Sequence, residues 1–319
     1  MVNGIDHVIL LLAMMRMGAV PVELPTGSGA APILAAVGKY RLATVVTDPD
    51  IDLGVGTEPI HIRIDLDTRA GIAPLPPDEG AAAGLDALTI VILSSGTTGV
   101  PAGFVSTHRQ MLCCIESRGA TWPALASDND IPPDALLVAS VRYAYFFHCF
   151  LTQLYLGGTI ILLPEYAHGI DLLRAIAACP GARCFGTANV CRFLLAAALP
   201  DKLLLPDLAL FEYAGQPLTA QEKRDFAARV TPNFADNYGS VATGTISLVT
   251  AKDIGAKAET VGRPVPGMEV QVVDADGGVL PPGQVGRLRC RGGGMANGLC
   301  AEDTANASAE YFEAGWFYP

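Results

Sequence analysis

The chain has 319 residues, of which 21 are Lys or Arg and 32 are Asp or Glu, so its formal net charge is −11. This acidic balance argues against binding to nucleic acid or to an anionic membrane surface, because both attract clustered basic side chains. Hydrophobic residues make up 50% and charged residues 17%, which excludes an intrinsically disordered chain. The length predicts about two domains.

Cysteine usage and the first apolar segment bear on the compartment. The eight cysteines include no C-x-x-C pair, which predicts free thiols in a reducing, cytoplasmic compartment. Residues 5–15 are mostly apolar but lack the basic start of a signal peptide. They are also shorter than the roughly 20 residues that cross a bilayer. We predict a buried helix there, and no membrane span.

Helical and strand patterns alternate along the first two thirds of the chain. Apolar periodicity and capping residues predict helices over residues 6–17, 32–41, 107–119, 146–156, 170–178, 189–198 and 219–230. Strands are predicted over residues 19–24, 43–47, 60–64, 88–93, 136–140, 159–163 and 208–213. The continuous apolar run at 88–93 is typical of a buried parallel strand. This alternation predicts an α/β fold of layered, mainly parallel sheets flanked by helices.

The last part of the chain has a different pattern. Residues 267–274 and 284–291 alternate around Gly, Pro and Asp turn residues, which predicts antiparallel hairpins. We therefore predict an α/β core over residues 1–255 and a small antiparallel β subdomain over residues 256–319.

A loop rich in Gly, Ser and Thr follows the predicted strand at 88–93. Residues 94–103 read SSGTTGVPAG. Glycine lets the backbone turn and approach a ligand closely, and successive N–H groups can form an anion-binding nest. The loop therefore predicts a phosphate cradle, formed by Ser95, Gly96, Thr97, Thr98 and Gly99. An ordinary surface turn is the alternative, since the loop matches neither a Walker A motif nor the dinucleotide fingerprint.

This loop resembles the phosphate loop of the adenylate-forming superfamily, which includes acyl- and aryl-CoA ligases, luciferases and the adenylation domains of peptide synthetases. Further segments resemble that family's motifs in its order, namely YAGQPL at 213–218, DNYGS at 236–240, VGRP at 261–264, PGQVG at 282–286 and GWFYP at 315–319. The resemblance covers nearly the whole chain.

The resemblance implies that ATP and a small carboxylic acid react to give an acyl-adenylate and pyrophosphate. Most members then pass the acyl group to the thiol of CoA or of a carrier protein. ATP or AMP is therefore the expected nucleotide. The resemblance places adenine against Ala214, Gly215, Gln216, Asp236, Asn237, Tyr238, Gly239 and Ser240. It places the acid near Tyr143, Phe147, His148 and Gly239.

Several positions depart from the family pattern. Ala102 replaces a Lys of the phosphate loop, Val241 replaces a Thr that contacts the α-phosphate, and Ala242 replaces a Glu that helps to hold Mg²⁺. Since Mg²⁺ is usually held by carboxylates together with phosphates and waters, we expect weak Mg²⁺ binding and assign no metal ligand. No catalytic residue is assigned either.

The two ends also depart from the pattern. The chain stops before the family's ribose-binding Asp and its mobile C-terminal domain, and it starts at a helix that is normally internal. These ends predict an incomplete reading frame and some exposed apolar surface. Two functions stay open: a weak or incomplete acid-activating ligase, and a module that binds nucleotide or acid without turnover.

His148 and Cys149 could suggest a nucleophile with its base, and Cys113 and Cys114 a redox centre. Adjacent residues on a helix point in different directions, so packing or pocket lining is the preferred interpretation for His148 and Cys149. For Cys113 and Cys114 the preferred interpretation is a place in the core.

Overall fold

The computed structural model describes residues 4–24, 29–54, 59–64, 83–94, 102–125, 134–137, 144–163, 170–296, 298–300 and 311–319. The helices of this part of the chain are α1 (Ile5–Met17), α2 (Ala30–Tyr40), α3 (His108–Leu125), α4 (Ala144–Tyr155), α5 (Ile170–Ala177), α6 (Ala188–Ala197), α7 (Ala220–Arg229) and α8 (Ile254–Lys257).

The strands of the same part are β1 (Thr44–Thr47), β2 (Ile60–Arg63), β3 (Leu88–Leu93), β4 (Gly103–Thr107), β5 (Asp134–Leu137), β6 (Thr159–Leu162), β7 (Arg183–Gly186), β8 (Leu210–Ala214), β9 (Phe234–Ser240), β10 (Gly244–Val249), β11 (Arg263–Pro264), β12 (Met268–Val273), β13 (Arg287–Gly292), β14 (Gly298–Cys300), β15 (Phe312–Glu313) and β16 (Trp316–Phe317).

The largest sheet is mainly parallel. Its seven strands lie in the order β11-β10-β9-β8-β7-β5-β6. Strands β5 to β9 pair in parallel, and β10 and β11 extend the sheet in antiparallel pairing. Successive strand residues point to opposite faces, so Phe185 packs toward α3 and α4 while Cys184 packs toward α5, α6 and α7. The predicted α/β class is confirmed.

Aromatic packing holds the α7 face of this sheet. The ring centroids of Phe211 and Phe226 lie 4.8 Å apart, and those of Phe226 and Phe234 lie 4.5 Å apart. Helix α7 begins at a capping box, in which the Thr219 hydroxyl accepts from the Glu222 N–H and the Glu222 carboxylate accepts from the Thr219 N–H. Such a cap contributes about 1 kcal/mol to helix stability. It fixes the start of α7 directly after the β8 turn.

The smaller sheets are antiparallel apart from the β1–β2 pair. Strand β12 pairs with β13 over the whole of both strands, which confirms the predicted hairpin. The parallel direction predicted for β3 holds only for its single bridge to Val22, because its main partner, β4, runs antiparallel to it. Its continuous apolar run indicates burial on both faces, and burial does not fix strand direction. The strand predicted over 19–24 is reduced to one bridge between Val22 and Val91.

Two strands beyond residue 255 pair with strands before it. Strand β11 pairs with β10, and β14 pairs with β4. The boundary at residues 255 and 256 stays a prediction.

None of the helices that the structure describes combines the length and apolar character that a membrane crossing requires.

Candidate functional site

Two of the predicted adenine segments lie side by side at the carboxyl edge of the parallel sheet. Strand β8 runs into Gly215, and its last residue, Ala214, pairs with Asn237 of β9. Gly215 has a φ of 105°, and a Cβ there would meet nothing within 4 Å. The turn is closed by the Leu218 N–H, which donates to the Tyr213 hydroxyl at 2.9 Å. Open backbone at this edge of an α/β sheet is a common place for ligands.

The side chains of Asp236 and Asn237 are buried and bind to other side chains of the protein interior. The Asp236 carboxylate lies 2.5 Å from the Lys223 ammonium group, and both side chains are buried. Burial raises the pKa of Asp236 although the lysine opposes that shift. The Asn237 amide donates to Glu212 at 2.7 Å and to Thr245 at 2.9 Å. The predicted adenine contacts of this segment therefore depend on its backbone and on Tyr238.

The hairpin between β9 and β10 needs glycine at its base. A Cβ on Gly239 would lie 2.0 Å from the Gly244 carbonyl oxygen, closer than any side chain can approach. The Ser240 N–H donates to the Thr243 hydroxyl at 3.1 Å, and the two hydroxyls lie 3.0 Å apart. These contacts fix the turn that carries Val241 and Ala242.

The positions that depart from the family pattern meet in one apolar cluster, which we call the alanine cluster. Ala242 is 1% exposed and belongs to its buried part, and Ala102 and Val241 pack against it. The other buried members are Phe104, Ile246, Cys290, Met295, Ala296 and Phe317. The Ala296 N–H donates to the Ala242 carbonyl at 2.7 Å, which connects the backbones of these two cluster members.

The alanine cluster does not fit a Mg²⁺ ion held by side-chain carboxylates. Mg²⁺ requires oxygen ligands, and the cluster consists of apolar side chains. Within the described ranges, no group of three His, Cys, Asp or Glu side chains could hold a metal ion.

The predicted phosphate loop, Ser95 to Gly99, lies outside the described residues, as does Tyr143 of the predicted acid pocket. The residues that flank the loop are described. The Ser94 N–H donates to the Ala102 carbonyl at 2.8 Å, and the Ala102 N–H donates to the Ser94 hydroxyl at 3.0 Å. The loop therefore connects two paired strands, β3 and β4. The residues at its two ends, Ser94 and Ala102, are hydrogen-bonded to each other.

The remaining residues of the predicted acid pocket occupy different environments. Phe147 is fully buried and stacks on Phe150 in the core. His148 is 5% exposed and lines a cavity of about 310 Å³. Gly239 pairs with Thr245, which lines the same cavity.

This cavity, called the α3 cavity below, lies between α3 and the glycine-rich end of β13. Polar and thiol side chains on its wall belong to Cys113, Cys114, Glu116, Ser117, Arg118, Thr121, His148, Thr243 and Thr245. The other lining residues are Val265, Pro266, Gly267, Met268, Gly292, Gly293 and Gly294. The Cys114 thiol donates to the Gly294 carbonyl at 3.1 Å, and burial raises the pKa of this thiol to about 12. Cys114 is therefore a neutral wall residue.

A buried ion pair forms the back of the α3 cavity. The Arg118 guanidinium donates to Glu212 at 2.7 Å and to the Thr245 hydroxyl at 2.6 Å. Since Asn237 donates to the same two partners, this network connects α3 to β8, β9 and β10. Sequence reasoning missed Arg118 and Glu212, because residues this far apart in the chain carry no shared motif.

Comparison with known proteins identifies the family. A family model described as AMP-binding enzyme matches residues 1–300. The chain belongs to this family. One curated relative is a long-chain-fatty-acid–CoA ligase of Escherichia coli O6:H1. It is 27% identical to this chain over 232 aligned residues, which cover 72% of this chain and 41% of that protein. A salicyl-AMP ligase/salicyl-S-ArCP synthetase of Mycobacterium tuberculosis is 25% identical over 353 aligned residues, covering 99% of this chain and 58% of that protein.

Solved structures of AMP-binding enzymes share the fold. O-succinylbenzoate coenzyme A synthetase from Bacillus subtilis, in complex with ATP and a magnesium ion, superimposes with a TM-score of 0.82 at 18% identity, over 99% of this chain and 64% of that one. Apo MatB from Rhodopseudomonas palustris superimposes with a TM-score of 0.80 at 20% identity, over 99% of this chain and 63% of that one. The chain thus spans about two fifths to two thirds of the length of these relatives.

Proposed function

We propose that this chain takes part in the ATP-dependent activation of a small carboxylic acid to an acyl-adenylate. The observation that supports the proposal is the meeting of two features. The β8 and β9 segments that resemble the family's adenine site lie at one sheet edge. The α3 cavity borders them, since Gly239 of the first feature pairs with Thr245, which lines the cavity.

In the proposed reaction an oxygen of the acid attacks the α-phosphate of ATP. A bond forms between that oxygen and phosphorus, and the bond to the pyrophosphate oxygen breaks. Held in the β8 and β9 turns, the nucleotide would present its α-phosphate near the hairpin of Gly239 to Gly244. An acid in the α3 cavity would lie beside the same hairpin, since Thr243 and Thr245 line this cavity. Such positioning alone can supply a large part of a rate enhancement.

The thiol acceptor and the compartment are also part of the proposal. The names of the two relatives specify CoA in one case and a carrier protein in the other, and we propose one of these thiols as the acceptor of the acyl group. A reducing cytoplasm fits the eight free cysteines.

A second candidate function is binding of nucleotide or acid without turnover. The alanine cluster favours it, because the positions of the family's lysine and metal-binding glutamate are occupied by Ala102 and Ala242 among apolar side chains. Charged contacts can each contribute about 1.5–3 kcal/mol. Their loss would slow the reaction by orders of magnitude while leaving the adenine site in place.

Exchange of labelled pyrophosphate into ATP, measured with and without a panel of carboxylic acids, separates the two functions. Acid-dependent exchange above the blank supports activation. Binding of AMP without exchange for any acid supports the second candidate. Tyr238→Ala should weaken ATP binding, since it removes the ring expected against adenine. Tyr155→Ala is the matched control, because Tyr155 is 56% exposed at the end of α4.

A further inference from the structure

The α3 cavity has the size of a compact ligand. Its volume is about 310 Å³, at the lower end of the roughly 300–1,000 Å³ of small-molecule sites. An apolar cavity of about 150 Å³ holds one benzene molecule. A ring with one or two substituents therefore fits, and a long alkyl chain has little room.

His148 brings an unused hydrogen-bonding edge to this cavity. His148 is 5% exposed. Within the part of the chain that the structure describes, its ring nitrogens make no hydrogen bond. Burial and the nearby Arg118 guanidinium lower the pKa of His148 to about 3. The ring is thus neutral at pH 7 and has one N–H donor and one acceptor nitrogen. A ligand group that bonds to this ring would add one hydrogen bond, which contributes about 0.5–1.5 kcal/mol.

The remaining charges of the wall argue against an acid with a second carboxylate. Arg118 is the basic side chain among the described residues that line the cavity, and Glu212 and Thr245 already accept from it at 2.7 Å and 2.6 Å. The ion pair of Arg118 with Glu212 is neutral as a unit. Glu116 on the same wall is an acid. Among the described lining residues, an added carboxylate would find no further Lys or Arg to pair with it, and an unpaired charge in a partly buried site is costly.

Gly244 packs closely against His148. A Cβ on Gly244 would lie 3.5 Å from the His148 Nδ1 and 3.2 Å from the Cys114 sulfur. A side chain at position 244 would therefore displace His148 or Cys114, both of which line the cavity. Glycine at this position thus lets the imidazole keep its place in the cavity wall.

We propose that the α3 cavity receives the body of the acid and selects a compact acid with one neutral hydrogen-bonding substituent, such as a hydroxyl, that bonds to His148. Long alkyl acids and dicarboxylic acids are disfavoured. The inference rests on the proposed function and names the substrate class of that site.

Titration calorimetry with benzoate, the three hydroxybenzoates, dodecanoate and phthalate tests this selection. One hydrogen bond corresponds to about five- to tenfold in affinity. We expect at least one hydroxybenzoate to bind about that much more tightly than benzoate, and dodecanoate and phthalate to bind more weakly than benzoate. Equal or tighter binding of dodecanoate, or no binding of any acid, would overturn the inference.

Variants at position 148 test whether His148 causes the preference for a hydroxybenzoate over benzoate. His148→Phe should abolish the advantage of the hydroxybenzoate while benzoate still binds, and His148→Gln should retain part of it. Tyr155→Phe, which removes an exposed hydroxyl from the same helix, is the matched control and should change nothing. A hydroxyl preference that survives in His148→Phe would overturn the inference. If that variant does not fold, His148→Gln and the wild-type series decide.

Pyrophosphate exchange with the same acids distinguishes this inference from the proposed function. Exchange that is as fast with dodecanoate as with a hydroxybenzoate would refute the inference and keep acid activation. A hydroxybenzoate that binds selectively without any exchange would keep the inference and refute acid activation.

Discussion

Placing a carboxylate at position 242 tests whether the alanine cluster is as apolar as its contacts indicate. In Ala242→Glu the new side chain begins at a residue that is 1% exposed, among side chains such as Phe104 and Ile246. The buried carboxyl group would avoid its charge by keeping a proton. Glu has a pKa of about 4.3 when exposed, and each pKa unit corresponds to about 1.36 kcal/mol. Keeping the proton therefore costs about 4 kcal/mol at pH 7.5 and about 2 kcal/mol at pH 6.

Ala242→Gln is the matched control, because it adds the same volume without a titratable proton. The free energy of unfolding of each variant is measured by urea denaturation at both pH values. We expect Ala242→Glu to be less stable than Ala242→Gln by about 4 kcal/mol at pH 7.5, and the gap to narrow by about 2 kcal/mol at pH 6. The sign follows because the folded pKa is raised, so that stability falls as pH rises from the unfolded pKa toward the folded one. Equal stability of the two variants at pH 7.5 would refute the apolar description of this position.

Three further predictions concern the network, the helix cap and the cavity. Arg118→Met should destabilise the fold by about 3–5 kcal/mol because it leaves the Glu212 carboxylate buried and unpaired. In urea unfolding the double variant Arg118→Met/Glu212→Met should recover much of that loss, and equal losses would contradict the ion-pair account. Thr219→Ala should cost about 1 kcal/mol and Thr219→Ser much less, whereas equal costs would show that the cap contributes nothing. Since the pKa of His148 is lowered to about 3, the unfolded chain takes up a proton at this residue below about pH 6.5 while the folded chain does not. His148 should therefore lower the free energy of unfolding by about 1.4 kcal/mol between pH 7.5 and 5.5. His148→Gln should lose about 1.4 kcal/mol less than the wild type over this range, and equal losses in the two proteins would contradict the prediction.

The sequence predicted most helices because their ends carry local signals. Gly18 ends α1 with a φ of 79°, as a glycine cap does. Thr107 precedes α3, and its hydroxyl accepts from the Gln110 N–H at 3.3 Å. Both signals involve residues within one turn of the helix end and can be read without the rest of the fold.

The strands that were not predicted are β4, β7, β9, β10, β11, β14, β15 and β16. Strand β9 reads FADNYGS, and Asp, Asn and Gly disfavour strands in isolation. It is held instead by pairing with β8 on one side and β10 on the other. Its polar side chains are compensated by distant partners, as in the ion pair of Asp236 with Lys223.

The candidate site could be predicted only in part for the same reason. Motif resemblance found the segments at the ends of β8 and β9, because their residues are close in sequence. It could not show that Ala102 and Ala242 pack in one apolar cluster, or that Arg118 reaches Glu212 behind the α3 cavity. Those contacts depend on how sheets and helices pack, and packing leaves no local pattern.

Titration calorimetry of the chain with AMP and with ATP, each in Mg²⁺ and in EDTA, tests the central claim most directly. The claim is that the nucleotide site persists at the ends of β8 and β9 while the alanine cluster gives a divalent cation no side-chain ligand. It predicts that AMP and ATP bind, with dissociation constants that change less than about threefold between Mg²⁺ and EDTA. Binding of ATP that Mg²⁺ tightens tenfold or more, or no binding of either nucleotide to a folded sample, would contradict it.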